Sequence, residues 1–536
     1  MTRPNILWIS FEDTNPFYGC YGDPVARTPN VDRLAAEGCI FPRTFSTAGV
    51  CAPARSAVIT GMYPISIGTH HMRTTHTNCH TPELPTPYSA CPPAYVKCFS
   101  EYLRAAGYYC TNNVKTDYQF EPPVTAWDEC SEQAHWRNRP DPEQPFFAVF
   151  NPMVTHESGM WPERCPEPRF DPDAMELPPY FPDTPAVRTA MARMYTNIET
   201  ADAYMGELLQ QLEEDGLAEN TIVMHWSDHG PMPRGKRWPY DSGIHVPMIV
   251  RWPGGLAAGS RDERLVSTID LAPTVLSLCG VPMPQHLQGQ AFLGPDAGEE
   301  RTFVFASRDR YDESYDMIRA ARDRRFKYIR HYHPELPYLQ WIPFRNKHPI
   351  LQEMWRLHLR DELSGAQRLM FEPRPAEELY DTEVDPWEIN NLADDPAYAE
   401  QLQRLRQAVD DWTDRVGDLG RVDEADMVRS WYPNGVRPRT AAPVFVPISD
   451  AEYGRHAFRG GEIPPLPVPA RIALHCATQG ASLCWTTETG HTDAVRWHIY
   501  TGPIPLQPGT VTLRARAVRI GYEHSHETTI PVTVSG

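Results

Sequence analysis

Reactive side chains recur just past apolar runs in this chain. Glu12 and Asp13 follow Asn5-Ile6-Leu7-Trp8-Ile9-Ser10, and Asp228 and His229 follow Thr221-Ile222-Val223-Met224-His225-Trp226. Adjacent carboxylates at such a place do little for stability and suit a hard cation; read alone, Glu12 and Asp13 fit a solvated turn equally well. Between the two pairs stands Cys51-Ala52-Pro53-Ala54-Arg55, closed downstream by Thr60-Gly61. Pro53 suits a first helical turn, where its missing N–H costs nothing. Free backbone N–H groups and the positive end of a short helix then face Cys51, with Arg55 one turn on. That is an anion-binding arrangement with a nucleophile inside it. Lys115, Asp117 and Lys236 occupy other polar loops, and Gly68-Thr69-His70-His71-Met72-Arg73 adds two histidines and an arginine. A lone histidine after a strand is more often structural than catalytic. His156 gains weight because it follows Phe146-Phe147-Ala148-Val149-Phe150 as the other candidates follow their own runs.

Such loops need a scaffold that brings them to one place. The runs before Glu12, His156 and Asp228, with Tyr108-Tyr109-Cys110-Thr111, are the short apolar stretches of buried parallel strands. Helices are expected from Thr28-Pro29-Asn30 to Gly38, from Phe99 to Ala106, and from Asp183-Thr184-Pro185 to Gly216. In the last, Met191, Met194, Ile198, Met205, Leu208 and Leu212 keep helical spacing and read as core. Strands alternating with helices build an α/β sheet, whose sites form outside the carboxyl ends of the strands. The loops are therefore expected to converge.

From about residue 300 the texture changes. Met317–Ala321 and Phe326–Arg330 flank an Arg-Asp-Arg-Arg turn as an antiparallel hairpin, and a helix from Pro396 to Val416 closes a smaller α+β unit. Residues 441–470, rich in proline and glycine, read as a linker. Ile472–Cys476, Ser482–Thr486, Val511–Ala517 and Ile530–Val534 alternate like sandwich strands. The expected organisation is a catalytic domain over 1–300, a smaller subdomain over 301–440, the linker, and a β-sandwich over 471–536.

Composition narrows the function. The 536 residues carry a net charge of −19, which disfavours nucleic acid and anionic membrane surfaces as partners. The 55 prolines, about twice the usual share, imply long ordered loops. No run reaches membrane-spanning length. Met1-Thr2-Arg3-Pro4 leads straight into an apolar strand without a signal-peptide pattern, and the 12 cysteines then read as reduced thiols. The expected compartment is the cytoplasm.

On Cys51-x-Pro53-x-Arg55 with Thr60-Gly61, and on the order of the other motifs from Asn5 to Val416, the chain resembles the formylglycine-dependent sulfatases of the alkaline phosphatase superfamily, arylsulfatases among them. Pro179-Tyr180-Phe181-Pro182-Asp183-Thr184-Pro185 with Arg188 is closer to the N-sulfoglucosamine sulfohydrolase branch than to arylsulfatase A. The resemblance implies an alkaline-phosphatase-like mixed sheet flanked by helices. It implies that a maturation enzyme oxidises Cys51 to formylglycine, and that Glu12, Asp13, Asp228 and His229 hold one divalent cation, calcium first, manganese or magnesium next. Arg55 and Lys115 match groups that hold and polarise the formylglycine. His156 and Lys236 match groups that grip the sulfate or protonate the leaving oxygen, His156 being the first choice as acid. His70 and Asp117 are the substrate-binding candidates. Glu12 stands where aspartate is usual, His229 where asparagine is common, Asp117 where many relatives carry histidine, and Ala54 where serine is frequent. The C-terminal run resembles the immunoglobulin-like module of chitobiase-type enzymes in Gly480-Ala481, Gly502-Pro503-Ile504 and Gly521-Tyr522, and reads as a structural or dimer-forming appendage.

The implied reaction is release of inorganic sulfate from a sulfate monoester. Hydrated formylglycine carries two hydroxyls on one carbon: one attacks sulfur, and the other lets the sulfate leave without attack by water. Two rival readings are a phosphonate or phosphate ester hydrolase of the same superfamily, and a non-catalytic binding protein built on a decayed site. Retention of Cys51, Arg55, Lys115, Lys236 and both metal pairs speaks against the second. With 69 acidic against 50 basic residues, the expected substrate is a small aryl or sugar sulfate, including an N-sulfated amino sugar, rather than an intact polyanionic polymer.

Overall fold

Every residue of Asn5–Phe11 is buried, because this strand lies inside an eight-stranded sheet covered on both faces. The computed structural model describes residues 3–492 and 495–535; Met1 and Thr2, where the reading of a missing export signal began, lie outside the described residues. Phe146–Phe150 and Thr221–Ser227 pair in parallel with the central strand, and Tyr109–Asn113 pairs in parallel with Phe146–Phe150. Four carboxyl ends therefore open onto one edge. Met248–Arg251 runs antiparallel to Thr221–Ser227, which makes the sheet mixed.

Successive side chains of the central strand serve opposite cores. Leu7 and Ile9 pack with Met191, Met194, Ile198 and Met205 of helix Pro185–Glu214. Ile6 and Trp8 pack with Phe99, Leu103 and Leu271 on the other face. Each such fully buried side chain contributes about 1.5–3 kcal/mol. The long helix starts where the sequence places it, with the Thr184 hydroxyl accepting from the Val187 N–H and Pro185 in the first turn.

His225 is polar inside this sheet, and its ring nitrogens meet the Ile9 carbonyl at 2.9 Å and the Tyr18 hydroxyl at 3.0 Å. Burial pushes its pKa down to about 4, so the folded protein keeps the ring neutral while the unfolded chain takes up a proton below about 6.5. A depressed imidazole costs stability as pH falls, and the loss develops between those two values. Melting temperature is expected to drop as pH goes from 6.5 to 4, and His225→Gln should lessen the slope by about one proton. An unchanged slope in that variant would assign the acid lability elsewhere.

A second sheet of four antiparallel strands spans Val304–Arg308, Ile318–Arg322, Phe326–His331 and Glu377–Asp381. Helix Ala399–Val416 packs Leu405, Val409 and Trp412 onto it. Beyond lie a three-stranded and a five-stranded sheet around Ile472, Leu513, Ile530 and Val532. The stretch expected as a linker differs from expectation: Val444–Ile448 pairs antiparallel with Ala470–His475, so the sandwich begins before residue 471. Proline richness hid a strand in which Phe445 is buried and Pro447 needs no ladder donor. The sandwich docks closely on the first domain. Lys97 Nζ meets the Gly480 carbonyl at 2.5 Å, and Gly480, at φ +74°, leaves a Cβ no room against the Ala94 carbonyl. Among the described residues no helix is long and apolar enough to cross a membrane.

Candidate active site

The converging loops meet at the start of helix Cys51–Thr60, which is buried along its whole length and closed by Gly61 at φ +66°. Arg55, one turn in, uses its guanidinium as a hub. Its Nε donates to Asp228 Oδ2 at 3.0 Å, one Nη donates to Asn151 Oδ1 at 3.1 Å, and the other reaches Glu12. Lys115 Nζ takes the second Glu12 oxygen at 2.5 Å and lies 3.8 Å from Asp117. Glu12, expected as a metal ligand, thus has both oxygens engaged by cations here.

Asp13 holds the centre. Its Oδ2 accepts from Lys236 Nζ at 2.5 Å and from the Glu157 N–H at 2.6 Å. Its backbone sits at φ +43°, a left-handed conformation that aspartate tolerates better than most residues. Burial alone would raise its pKa; Lys236, His156 and His229 outweigh that and keep the carboxyl below its ordinary range. Asp228 behaves alike, with burial overcome by His229 and Arg55.

His229 Nδ1 lies 3.0 Å from the Gly230 carbonyl, which can only accept, so Nδ1 carries the proton. Burial lowers its pKa and keeps the ring neutral. The bare Nε2 then faces Asp13 Oδ1 at 3.2 Å and Asp228 Oδ2 at 3.8 Å. Cys51 Sγ lies 3.1 Å from the same nitrogen, so two carboxylate oxygens, an imidazole lone pair and a sulfur are turned toward one point that a cation could occupy. Cys51 completes the group: one ligand atom each from Asp13, Cys51, Asp228 and His229 lies within 4.8 Å of the others. The donor set fits a divalent cation, with a nitrogen ligand that also suits manganese. Burial pushes the Cys51 thiol up to about 12, which Lys115 and Lys236 only partly offset, so the unmodified thiol is protonated at neutral pH.

His156 stands across from this group. The Ser158 N–H donates to its Nδ1, which leaves the proton on Nε2, 3.4 Å from Lys236 Nζ. Burial and the Lys236 charge hold its pKa near 4. It therefore offers a neutral N–H donor to the site.

Reading the sequence missed the support behind Lys236. Glu157 binds Arg237 through both oxygens, at 2.8 and 3.1 Å, and lies 3.2 Å from Lys236 Nζ. Each directly follows a candidate, His156 or Lys236, and that adjacency was the available signal. Asn151, one residue past its strand, was equally overlooked. His70 stands apart from the converging group: it is buried, its ring lies tilted against that of His71, and its electrostatic neighbours are Asp309, Arg319 and Asp418. Asp117 does reach the site, in the wall of a cleft of about 1040 Å³ that Lys115, His156, Arg73, Tyr88 and Phe344 also line.

The sulfatase family model matches residues 4–120 and 117–281, and the model of the C-terminal part of N-sulphoglucosamine sulphohydrolase matches residues 229–340. An ulvan-active sulfatase of Formosa agariphila is 42% identical over 98% of this chain and 90% of its own length. Human N-sulphoglucosamine sulphohydrolase is 26% identical over 76% of this chain and 90% of its own. Among solved structures, a protein in complex with its substrate D-glucosamine-2-N,6-O-disulfate superposes with a TM-score of 0.56 at 19% identity, covering 78% of this chain and all of that one, a likeness in fold. The motif order, the converging site and the extent of these matches agree: the chain belongs to the sulfatase family.

Proposed function

We propose that this sulfatase removes sulfate from a sugar sulfate monoester, with Cys51 matured to formylglycine and one divalent cation, calcium first, held by Asp13, Asp228 and His229. The observation that carries the reading is the gathering of four ligand atoms, Cys51 Sγ among them, beside Lys236 and His156, with His156 and Lys115 in the wall of a large cleft. When bound, the cation supplies Lewis acidity and formylglycine supplies the oxygen nucleophile with a second hydroxyl.

The chain's own groups do the rest. Glu12, Asp13, Glu157 and Asp228 meet Arg55, Lys115, Lys236 and Arg237, four acids against four bases. With Asp117 beside Lys115 the acids exceed the bases by one, and a dication leaves the site positive toward an anionic ester. Arg55 fixes Asp228 and Glu12 in place. Lys115 and Lys236 are placed to neutralise sulfate oxygens. His156 Nε2–H is placed to donate to the leaving oxygen, and an anion beside it favours its second proton.

The sugar follows from the relatives' named substrates and from the cleft, whose aromatic and hydrogen-bonding walls suit a polyhydroxylated ligand. A panel tests it: a monosaccharide sulfate, a sulfated tetrasaccharide prepared from ulvan, a nitrophenyl sulfate and a phenyl phosphonate monoester, with calcium present. Sulfate release from a sugar ester is expected to exceed phosphonate hydrolysis at least about tenfold in kcat/KM. Faster phosphonate cleavage would replace this reading with the phosphonate one.

A further inference from the structure

A second groove, of about 900 Å³, opens beside the catalytic cleft, lined by Trp161, Arg164, Lys347, Gln352 and Arg356 among others. Three rings lead to it from the site. His156 lies 6.1 Å from Phe344, and Phe344 lies 5.0 Å from Trp161, centroid to centroid. Phe344 belongs to the wall of the first cleft and Trp161 to the second, so the two hollows share one aromatic partition. Each reaches the upper part of the roughly 300–1,000 Å³ range of ligand sites. Together they hold more than one sugar.

The charge of this groove runs against that of the chain. Its cations are Arg164, Lys347 and Arg356, and its acids are Glu163 and Glu353. Glu353 is already bound through both oxygens by Arg356, at 2.7 Å each. Arg164 and Lys347 are exposed and, among the described residues, in no ion pair; Lys347 lies over the Trp161 ring at 5.9 Å. On a protein of net charge −19, a half-buried indole with Lys347 over its ring, in a groove that Arg164 also lines without an ion pair of its own, is a place for an apolar sugar face with an anion beside it.

We propose that this groove is a distal carbohydrate subsite, in which Trp161 stacks on a sugar and Arg164 and Lys347 pair with its carboxylate or sulfate, while another sugar of the same chain presents its sulfate ester beneath Lys115 and His156. This rests on the sugar-sulfatase reading above. It extends the expected substrate from a single sulfated unit to a short oligosaccharide.

The test compares the ulvan tetrasaccharide with the monosaccharide sulfate for the wild type, Trp161→Ala, Trp161→Phe and the double variant Arg164→Ala with Lys347→Ala. KM for the tetrasaccharide should rise about tenfold in Trp161→Ala and in the double variant, with kcat within about twofold. Trp161→Phe should restore most of that loss, and both constants for the monosaccharide sulfate should stay put. Added salt should raise the wild-type KM for the tetrasaccharide and leave the double variant flat. Reducing any carboxylates of the tetrasaccharide to alcohols tells sulfate from carboxylate pairing by whether the double variant still loses affinity. An unchanged KM for the tetrasaccharide, or an equal rise for the monosaccharide, overturns the subsite. Should the wild type release sulfate from no ester, the enzymatic reading fails on its own. Calorimetric binding of the tetrasaccharide then still decides the groove, since equal affinity of wild type and double variant would refute it.

Discussion

Cys51→Ala is expected to lose at least about a thousandfold in sulfate release while keeping its fold. The thiol is buried and pushed up to about 12, so as cysteine it is neither ionised nor exposed at neutral pH. Removing one sulfur from a pocket formed with Val50, Ala52, Met72 and Tyr311 leaves a small void, and melting should shift by only a few degrees. Cys51→Ser should be nearly as inactive, because a single hydroxyl can attack sulfur but offers no second group to expel the sulfate. Peptide mass spectrometry across Cys51 provides the independent readout, with active preparations carrying the aldehyde in place of the thiol. On the formylglycine reading, the 1% exposure of Cys51 requires the conversion to act before the helix is packed. Turnover in Cys51→Ala above about a tenth of wild type would remove position 51 from the chemistry.

What could be read from the sequence divides along a physical line. The apolar runs before Glu12, His156 and Asp228 could be placed as buried strands because a strand covered on both faces has no polar alternation. Once they are parallel neighbours, the meeting of their loops follows from geometry, and Asp13, Asp228, His229 and Cys51 do lie together. Helix Pro185–Glu214 carried its own start signal in Thr184 and Pro185. Long-range pairing had no such local trace. Nothing near Glu12 announces that Arg55 and Lys115 take both its oxygens, 43 and 103 residues away. His70 looked chemical because Gly68-Thr69-His70-His71-Met72-Arg73 puts two histidines and an arginine in one loop, yet the ion pairs that surround it come from Asp309, Arg319 and Asp418. Val444–Ile448 escaped notice because prolines count against strands, although at an edge they cost little. The groove beside Trp161 joins a loop near residue 161 to a helix start near 349, a meeting that no spacing encodes.

Asp228→Asn probes the metal directly, and its expected effect is as large as that at Cys51. Asp228 Oδ1 accepts from the Asp13 and His229 N–H groups, at 3.1 Å each, while Oδ2 takes Arg55 Nε at 3.0 Å and looks toward His229 Nε2. Asparagine keeps the shape and one acceptor but gives up the charge. The site then has one carboxylate fewer against the same four bases, Asp117 included among those that remain, and draws a cation less strongly. A unit charge about 4 Å from another is worth roughly 4 kcal/mol where the effective dielectric is near 20. For a dication that converts to at least about a thousandfold in metal affinity. Elemental analysis should find about one calcium, or manganese, per chain in the wild type and less than about a tenth of that in Asp228→Asn. Saturating metal should raise the wild-type melting temperature, as any ligand of the folded state does, and leave the variant's unmoved. Without metal the variant should lie only a few degrees lower, because Arg55 retains Glu12 and Asn151 as partners. Sulfate release should fall with the metal content. A variant that carried its full complement of metal and still melted higher in its presence would show that the cation sits elsewhere, and the roles given to Asp13 and His229 would fall with it.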